Sequence, residues 1–283
     1  MKNKFLPVFL LILLLVPGIG HAESGNEMAK ILKGIKSYKQ TYFIGTNNYR
    51  NNYAKIYGAI QGSKYVQREI KFQISFQWHY FETENWDIGS SYTQLSYWQA
   101  LNKPISNPFR ETNYEPEFVF INYRPTSSLL QIPNSFDLLT SYRFAPLVHH
   151  SNGQSGAISR SWNYGYLEVQ LSDKKHWYFG LKGKIRYPEK AASDDNPDIT
   201  KYYGPLELHA RYKYQQHTFH LMFRNNLRAD ENRGAVQFDY SYDWALLGDI
   251  DLYFQAFYGY GESLIEHDQL NSRYGAGLIL ANW

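Results

Sequence analysis

The sequence predicts an all-β protein, a transmembrane antiparallel β-barrel, on three observations. Apolar residues recur at every second position over stretches of strand length, and large aromatics gather near the ends of those stretches. The mean hydropathy is only −0.52 although 18% of the residues are aromatic. A helical membrane protein, built from spans of about 20 apolar residues, would average to a hydrophobic score. Barrel strands alternate apolar with polar and average to a hydrophilic one. The 26 Tyr, 17 Phe and 7 Trp exclude a disordered chain, because disordered segments are poor in aromatics. The absence of Cys excludes a disulfide scaffold, a thiol enzyme and a cysteine-ligated metal centre. A net charge of +3 offers no block of basic charge for a nucleic-acid partner.

Taken in chain order, the first element is an address. Lys2 and Lys4 precede an apolar run from Phe5 to Val16, Pro17 and Gly18 break it, and Gly20-His21-Ala22 supplies small residues for cleavage. Residues 1–22 read as a secretory signal, with an N-terminal anchor as the alternative; the run is shorter than the about 20 residues a span needs. Residues 23–283 then form one exported domain, and the lack of Cys suits a bacterial envelope. From Glu23 to about Lys39 the spacing of Met28, Ile31, Leu32 and Ile35 is mildly helical, as in a periplasmic or plug-like segment.

The strands follow. Ile70, Phe72, Ile74, Phe76, Trp78 and Tyr80 oppose Lys71, Gln73, Ser75, Gln77 and His79. That is about 11 residues of alternation, the length of a tilted membrane strand. Trp177, Phe179, Leu181, Ile185 and Tyr187 oppose His176, Tyr178, Lys182, Lys184 and Arg186; Leu206, Leu208, Ala210, Tyr212 and Tyr214 oppose Glu207, His209, Arg211 and Lys213. Shorter examples run from Phe219 to Arg224, Val236 to Tyr242 and Ile250 to Gly259, with turn signals such as Asn225-Asn226 between segments. A soluble β-sandwich would alternate in the same way. Aromatics near the strand ends, and Trp283 as the last residue, favour the membrane barrel.

Chemistry has few places to sit. The chain has no HExxH, GxSxG or GxxxxGK[ST] motif. What remains is His149-His150-Ser151-Asn152-Gly153, then Ser159-Arg160-Ser161-Trp162-Asn163. On a strand ending at Ser151, His149 and Ser151 emerge on one face, shared with Ala145 and Leu147. On a strand from about Ser161 to Gln170, Asn163 shares the apolar face with Gly165, Leu167 and Val169. Polar groups on a lipid-facing wall cost free energy unless they bond to one another or serve a purpose. Ser, His and Asn can form a nucleophilic relay, the Asn oxygen holding one ring nitrogen while the other takes the Ser proton. Spacing alone leaves open that all three merely cap turns.

The blocks just quoted resemble the signature of the bacterial outer-membrane phospholipase A family. The resemblance extends through Ser91–Gln94, Ser106–Pro116, Asp194–Tyr202 and Tyr258–Ile265, in the family's order, over residues 69–283. It implies a twelve-stranded barrel in the outer membrane of a Gram-negative bacterium. It implies a calcium-dependent hydrolase of phospholipid and lysophospholipid acyl esters, active as a homodimer. Ser151 would be the nucleophile, His149 the general base, Asn163 its orienting partner and the Gly153 N–H an oxyanion donor. Calcium would be held by the carbonyls of Ser106 and Gln154 and the hydroxyl of Ser159, with Ser106 coming from the second subunit. Asp195 matches a further calcium position, with an Asx-turn before Pro197 as the alternative, and Gln94 a polar residue at the dimer interface. The chain departs from better-known members at Gln154, Gly156 and Tyr164, where they have Arg, Asp and Arg; the missing Asp puts a calcium site in the monomer in doubt. The stretch from Phe118 to Tyr142 is also longer. A non-catalytic porin remains the alternative from another class.

Overall fold

A computed structural model describes residues 34–281 apart from 51, 124–138, 174, 193 and 245–247. The expected signal, most of the 23–39 segment, the centre of the long 118–142 stretch and Trp283 lie outside the described residues.

Among the described residues the alternating segments become the twelve strands of the barrel, preceded by a separate three-residue strand, Ile35–Ser37. They are β1 (Thr41–Asn48), β2 (Arg68–Glu82), β3 (Trp86–Trp98), β4 (Phe109–Asn122), β5 (Leu139–Ser151) and β6 (Ser161–Ser172), followed by β7 (Trp177–Tyr187), β8 (Leu206–Tyr214), β9 (His217–Asn225), β10 (Gly234–Tyr242), β11 (Asp251–Gly259) and β12 (Asn271–Ala281). Each strand pairs with its neighbour in sequence. The barrel closes where β12 runs antiparallel to β1, with Gly275 opposite Thr46 and Gly277 opposite Ile44. Gly275 and Gly277 allow that approach: a Cβ on Gly277 would lie 2.3 Å from the Phe43 carbonyl oxygen.

Closure turns alternation into an inside and an outside. Phe43, Ile74, Phe144, Leu167, Phe179, Leu181, Leu208, Phe223 and Phe238 are exposed, while Lys71, Arg143, Glu168, Lys182, His220, Asp239 and Arg273 are buried. A soluble barrel has the opposite arrangement; an apolar exterior over a polar interior suits lipid. The interior charges are paired. Glu69 holds Arg110 and Arg273, the latter at 3.0 Å, and Glu262 holds Lys71 at 3.0 Å and Arg273 at 2.9 Å. Burial would raise the Glu262 carboxyl, but Arg273 and Lys71 hold it below its ordinary range. The loop after β11 turns inward onto β4, where the Leu264 N–H donates to Asn113 Oδ1 at 3.0 Å. Among the described residues the lumen keeps a cavity of about 440 Å³ lined by groups such as Lys71, Arg143, Lys182 and Glu262.

Two expectations are corrected. Helical spacing before Lys39 does not persist into the described part, where Ile35–Ser37 is a strand. Lys39 instead enters the lumen as an ammonium paired with Glu115 and, at 3.5 Å, with Glu117. Burial alone would lower its pKa, but those carboxylates and Tyr38 carry it above the usual lysine value. Tyr38 lies beneath the Arg143 guanidinium, 4.0 Å from ring centre to Cζ. The second correction concerns Ala145, which is fully buried and does not share the face of Leu147 and His149. The β5–β6 register shifts between Ala145 and Val148, so Phe144 and Leu147 both face outward. Pro146, which has no N–H to give a ladder, sits in that bulge.

Short turns at 83–85, 173–176 and 215–216 lie at one end of the barrel, and the connections after β1, β3, β5, β7, β9 and β11 lie at the other. The two ends of the 118–142 stretch belong to strands, 118–122 to β4 and 139–142 to β5, and these strand ends lie at the short-turn end. Outer-membrane barrels place short turns in the periplasm and longer loops outside the cell. Leu221 is exposed at the centre of β9. Leu221→Arg is expected to cost about 2–4 kcal/mol in bilayer folding titrations with urea, as for a cation placed at the membrane midplane; a cost near zero would mean that this wall does not face lipid.

Candidate active site

The end of β5 and the start of β6 bring the first predicted group together. His149 is opposite Asn163 and Ser151 opposite Ser161. His149 Nδ1 and Asn163 Oδ1 are 2.9 Å apart, on the outer wall. An amide oxygen can only accept, so this bond places the ring proton on Nδ1 and leaves Nε2 with its lone pair. Ser151 lies two residues along the same strand as His149, on the same face. The asparagine has a second partner that the sequence did not point to: its Nδ2–H donates to Glu189 Oε1 at 3.1 Å.

A neighbouring strand holds this geometry. Tyr187 on β7 stands opposite Asn163, and its hydroxyl donates to the Pro146 carbonyl in the bulge at 2.6 Å. The ring crosses β6 over Gly165, where a Cβ would lie 2.5 Å from the tyrosine oxygen. Three strands are thereby tied together beside the His149–Asn163 pair.

The turn after Ser151 is organised by Asn152, whose side chain is buried. Its Oδ1 accepts from the N–H groups of Arg160 at 2.9 Å and Gln154 at 3.3 Å, while its Nδ2 donates to the Ile158 carbonyl at 2.9 Å. Gly153, next to it, has φ +62°, a conformation that costs a residue with a Cβ about 1 kcal/mol or more.

The expected metal positions are brought together only in part. The Ser159 hydroxyl donates to Asp195 Oδ2 at 2.6 Å. Asp194, not Asp195, makes the Asx-turn, accepting the Asn196 N–H at 3.2 Å while Arg186 bonds both of its oxygens at 2.7 Å. Asn196 stitches this loop to β6 by accepting the Ser161 N–H at 3.0 Å. Gln154 is exposed beside a groove of about 300 Å³ lined by Gln94, Ser96, Thr112 and Tyr114. Ser106 sits on the separate turn between β3 and β4, at φ +63°. The donors at these positions are all oxygens, which suits a hard cation such as calcium.

Another ligand-type group, His79, Glu82 and Asp87, lies at the short-turn end. Gln77 accepts from Arg143 at 2.6 Å, so its amide nitrogen donates to His79 Nε2 at 2.8 Å. A neutral His79 then keeps its proton on Nδ1, 2.8 Å from Asp87, with no lone pair there for a cation.

Polar side chains extend along the outer wall away from Ser151. Tyr92 donates to Gln94 at 3.0 Å, Gln94 to Ser96 at 3.1 Å, and Ser96 and Thr112 share a hydrogen bond of 3.1 Å. Tyr114 stands opposite Ser151 across β4 and β5.

The family model described as phospholipase A1 matches residues 21–280. The chain belongs to the phospholipase A1 family. It is 34% identical over 202 residues to a phospholipase A1 of Salmonella typhimurium, an alignment covering 68% of this chain and 62% of that relative's length. The fold superposes on outer membrane phospholipase A from Escherichia coli with a TM-score of 0.77 at 29% identity, covering 92% of this chain and 99% of that one. A Salmonella typhi outer membrane phospholipase, solved as a dimer with bound calcium, gives a TM-score of 0.77 at 29% identity, with 88% and 92% covered.

Sequence reasoning missed Asn152 as the organiser of the turn, and Tyr187 and Glu189 as the supports of the pair. Tyr187-Pro188-Glu189 carried only the signal of a strand end. Replacing Asn152 by Ala leaves the Gln154 and Arg160 N–H groups without their acceptor. Asn152→Ala is expected to destabilise this family member by about 1–3 kcal/mol and to speed amide hydrogen exchange at those two positions; unchanged exchange would show the turn to be held otherwise.

Proposed function

We propose that this phospholipase A1 family member is a calcium-dependent enzyme of the Gram-negative outer membrane that hydrolyses acyl esters of phospholipids and lysophospholipids, active as a homodimer. The observation that carries the reading is the His149–Asn163 hydrogen bond on the lipid-facing wall, with Ser151 beside it at the long-loop rim. Lipid substrate reaches such a wall laterally. A porin needs an open lumen instead, and here the lumen is crossed by paired charges.

In this mechanism His149 Nε2 takes the Ser151 hydroxyl proton as Oγ attacks the ester carbonyl carbon. The Nδ1–H stays bonded to Asn163 Oδ1, which keeps the ring from rotating. The Gly153 N–H donates to the oxyanion. His149 then returns its proton to the leaving glycerol oxygen as the carbon–oxygen bond breaks, leaving acyl-Ser151. Water, deprotonated by His149, attacks that ester, and Ser151 regains its proton as the fatty acid leaves. Asn163 carries no charge, so the relay is cheap to hold against lipid but stabilises the imidazolium less than a carboxylate would.

The Gln154 carbonyl and the Ser159 hydroxyl would hold the shared calcium, joined by the carbonyl of Ser106 of the partner subunit, while Asp195 would serve a further calcium position. The bound cation would supply Lewis-acid stabilisation beside the oxyanion. Support for the dimer comes from the belt of Gln94, Ser96 and Thr112, because polar groups on a lipid-facing wall are better covered by a second copy.

Ser151→Ala is expected to lower calcium-stimulated fatty-acid release from phospholipid micelles by at least about 10³-fold while the variant keeps its heat-modifiable gel mobility; full activity in a folded variant would overturn the mechanism. Chelating calcium is expected to abolish activity and lower the crosslinked dimer fraction. Activity and crosslinking that are both indifferent to chelator would remove the shared metal from this reading.

A further inference from the structure

Asn163 carries an ambiguity that His149 alone does not resolve. The two ends of its amide have nearly the same shape, yet only the oxygen can accept from the imidazole Nδ1–H. Turned over, the amide would set N–H against N–H, or draw the ring proton to Nε2 and take away the base. The orientation therefore decides whether the proposed relay exists.

Glu189 resolves it. An ionised carboxylate has only acceptors, and Glu189 Oε1 stands 3.1 Å from Asn163 Nδ2. With the amide nitrogen committed there, the oxygen faces His149 at 2.9 Å. The chain presenting this carboxylate is itself restrained. Tyr187 is tethered to the Pro146 carbonyl at 2.6 Å, and Pro188 fixes its own φ between the tether and the carboxylate. Glu189 is half-buried, so its bond to Asn163 is only partly exposed to competing water. It also places a negative charge behind a neutral asparagine, one side chain farther from the imidazole than an aspartate in the relay would stand.

We propose that Glu189 is a positioning residue for the reaction: its carboxylate dictates which way the Asn163 amide faces and thereby which nitrogen of His149 is free to act as base. The proposal rests on the Ser151–His149–Asn163 reading above and adds a fourth member that never touches substrate.

The test uses the calcium-loaded full barrel in detergent micelles with a phospholipid substrate, each variant first checked for heat-modifiable mobility. Gln has the shape of Glu but can present either a donor or an acceptor, so Glu189→Gln keeps the packing and loses the instruction. It is expected to lower kcat about tenfold with KM little changed. In an Asn163→Asp background the group facing His149 has two equivalent oxygens and needs no instruction. Glu189→Gln there removes a like-charge neighbour and is expected to leave kcat unchanged or raise it. No effect with Asn163 present, or the same fall in both backgrounds, would overturn the proposal. Chemical rescue gives a second reading: formate added to Glu189→Ala is expected to restore rate and formamide is not, and equal failure of both would count against a carboxylate. Ser151→Ala is run alongside. If it stays active the relay falls, and Glu189 with it; if it is inactive while Glu189→Gln has no effect, only the role of Glu189 falls.

Discussion

Lipid offers no hydrogen bonds to a backbone, and the rest of this structure follows from that. A strand can cross a bilayer only when both of its edges are paired, so the sheet must close, here through β12 and β1. Once it is closed, each residue's parity along its strand decides whether it meets lipid or lumen. The ionic interior is the complement of the same constraint. Glu69, Arg110, Arg273, Glu262 and Lys71 come from β2, β4, β12 and the loop after β11, so their pairing braces parts of the barrel wall that are distant in sequence. Breaking one partner of such a buried group leaves an uncompensated charge, which is why these pairs act as a unit.

Against that rule the outer wall of β3 to β6 is an exception, and the site is that exception. Gln94, Ser96, Thr112, Tyr114, Ser151, His149 and Asn163 occupy positions that elsewhere carry Leu, Phe or Ile. Five of them are bonded within the wall, in the hydrogen bonds of Gln94 with Tyr92 and Ser96, of Ser96 with Thr112, and of His149 with Asn163. The bulge at Pro146 matters to the same site, because it resets the parity of β5 so that Phe144 and His149, five positions apart, both face outward. Without that shift, a strand whose lower half puts Phe144 toward lipid would turn His149 and Ser151 into the lumen.

Much of the fold is legible in the residues. Alternation from Ile70 to Tyr80 and from Trp177 to Tyr187 identifies the strands and their outward faces, since a period of two has one physical reading once the mean hydropathy excludes helices. His149, Ser151 and Asn163 stand out as polar interruptions of apolar faces, and the quoted sequence blocks point to the family. Ala145 was misplaced because a bulge leaves no mark in alternation except a proline. The spacing before Lys39 suggests a helix, whereas its described end contributes Tyr38 and Lys39 to the lumen, where Glu115 and Glu117 compensate a half-buried cation. Asp194 and Asp195 are interchangeable in sequence; Arg186 claims the first and Ser159 the second.

The sequence by itself determined that this chain is a barrel with two solvents and that its one polar interruption of chemical interest lies at the ends of β5 and β6. Those features are local, written in parity and residue type within one or two strands. Only the tertiary structure decided what supports the interruption. Glu189 lies 26 positions from Asn163, Tyr187 reaches across a strand to Pro146, and Asp195 meets Ser159 from another loop. Such contacts depend on which strands closure makes neighbours and on where each strand ends, and no periodicity carries either.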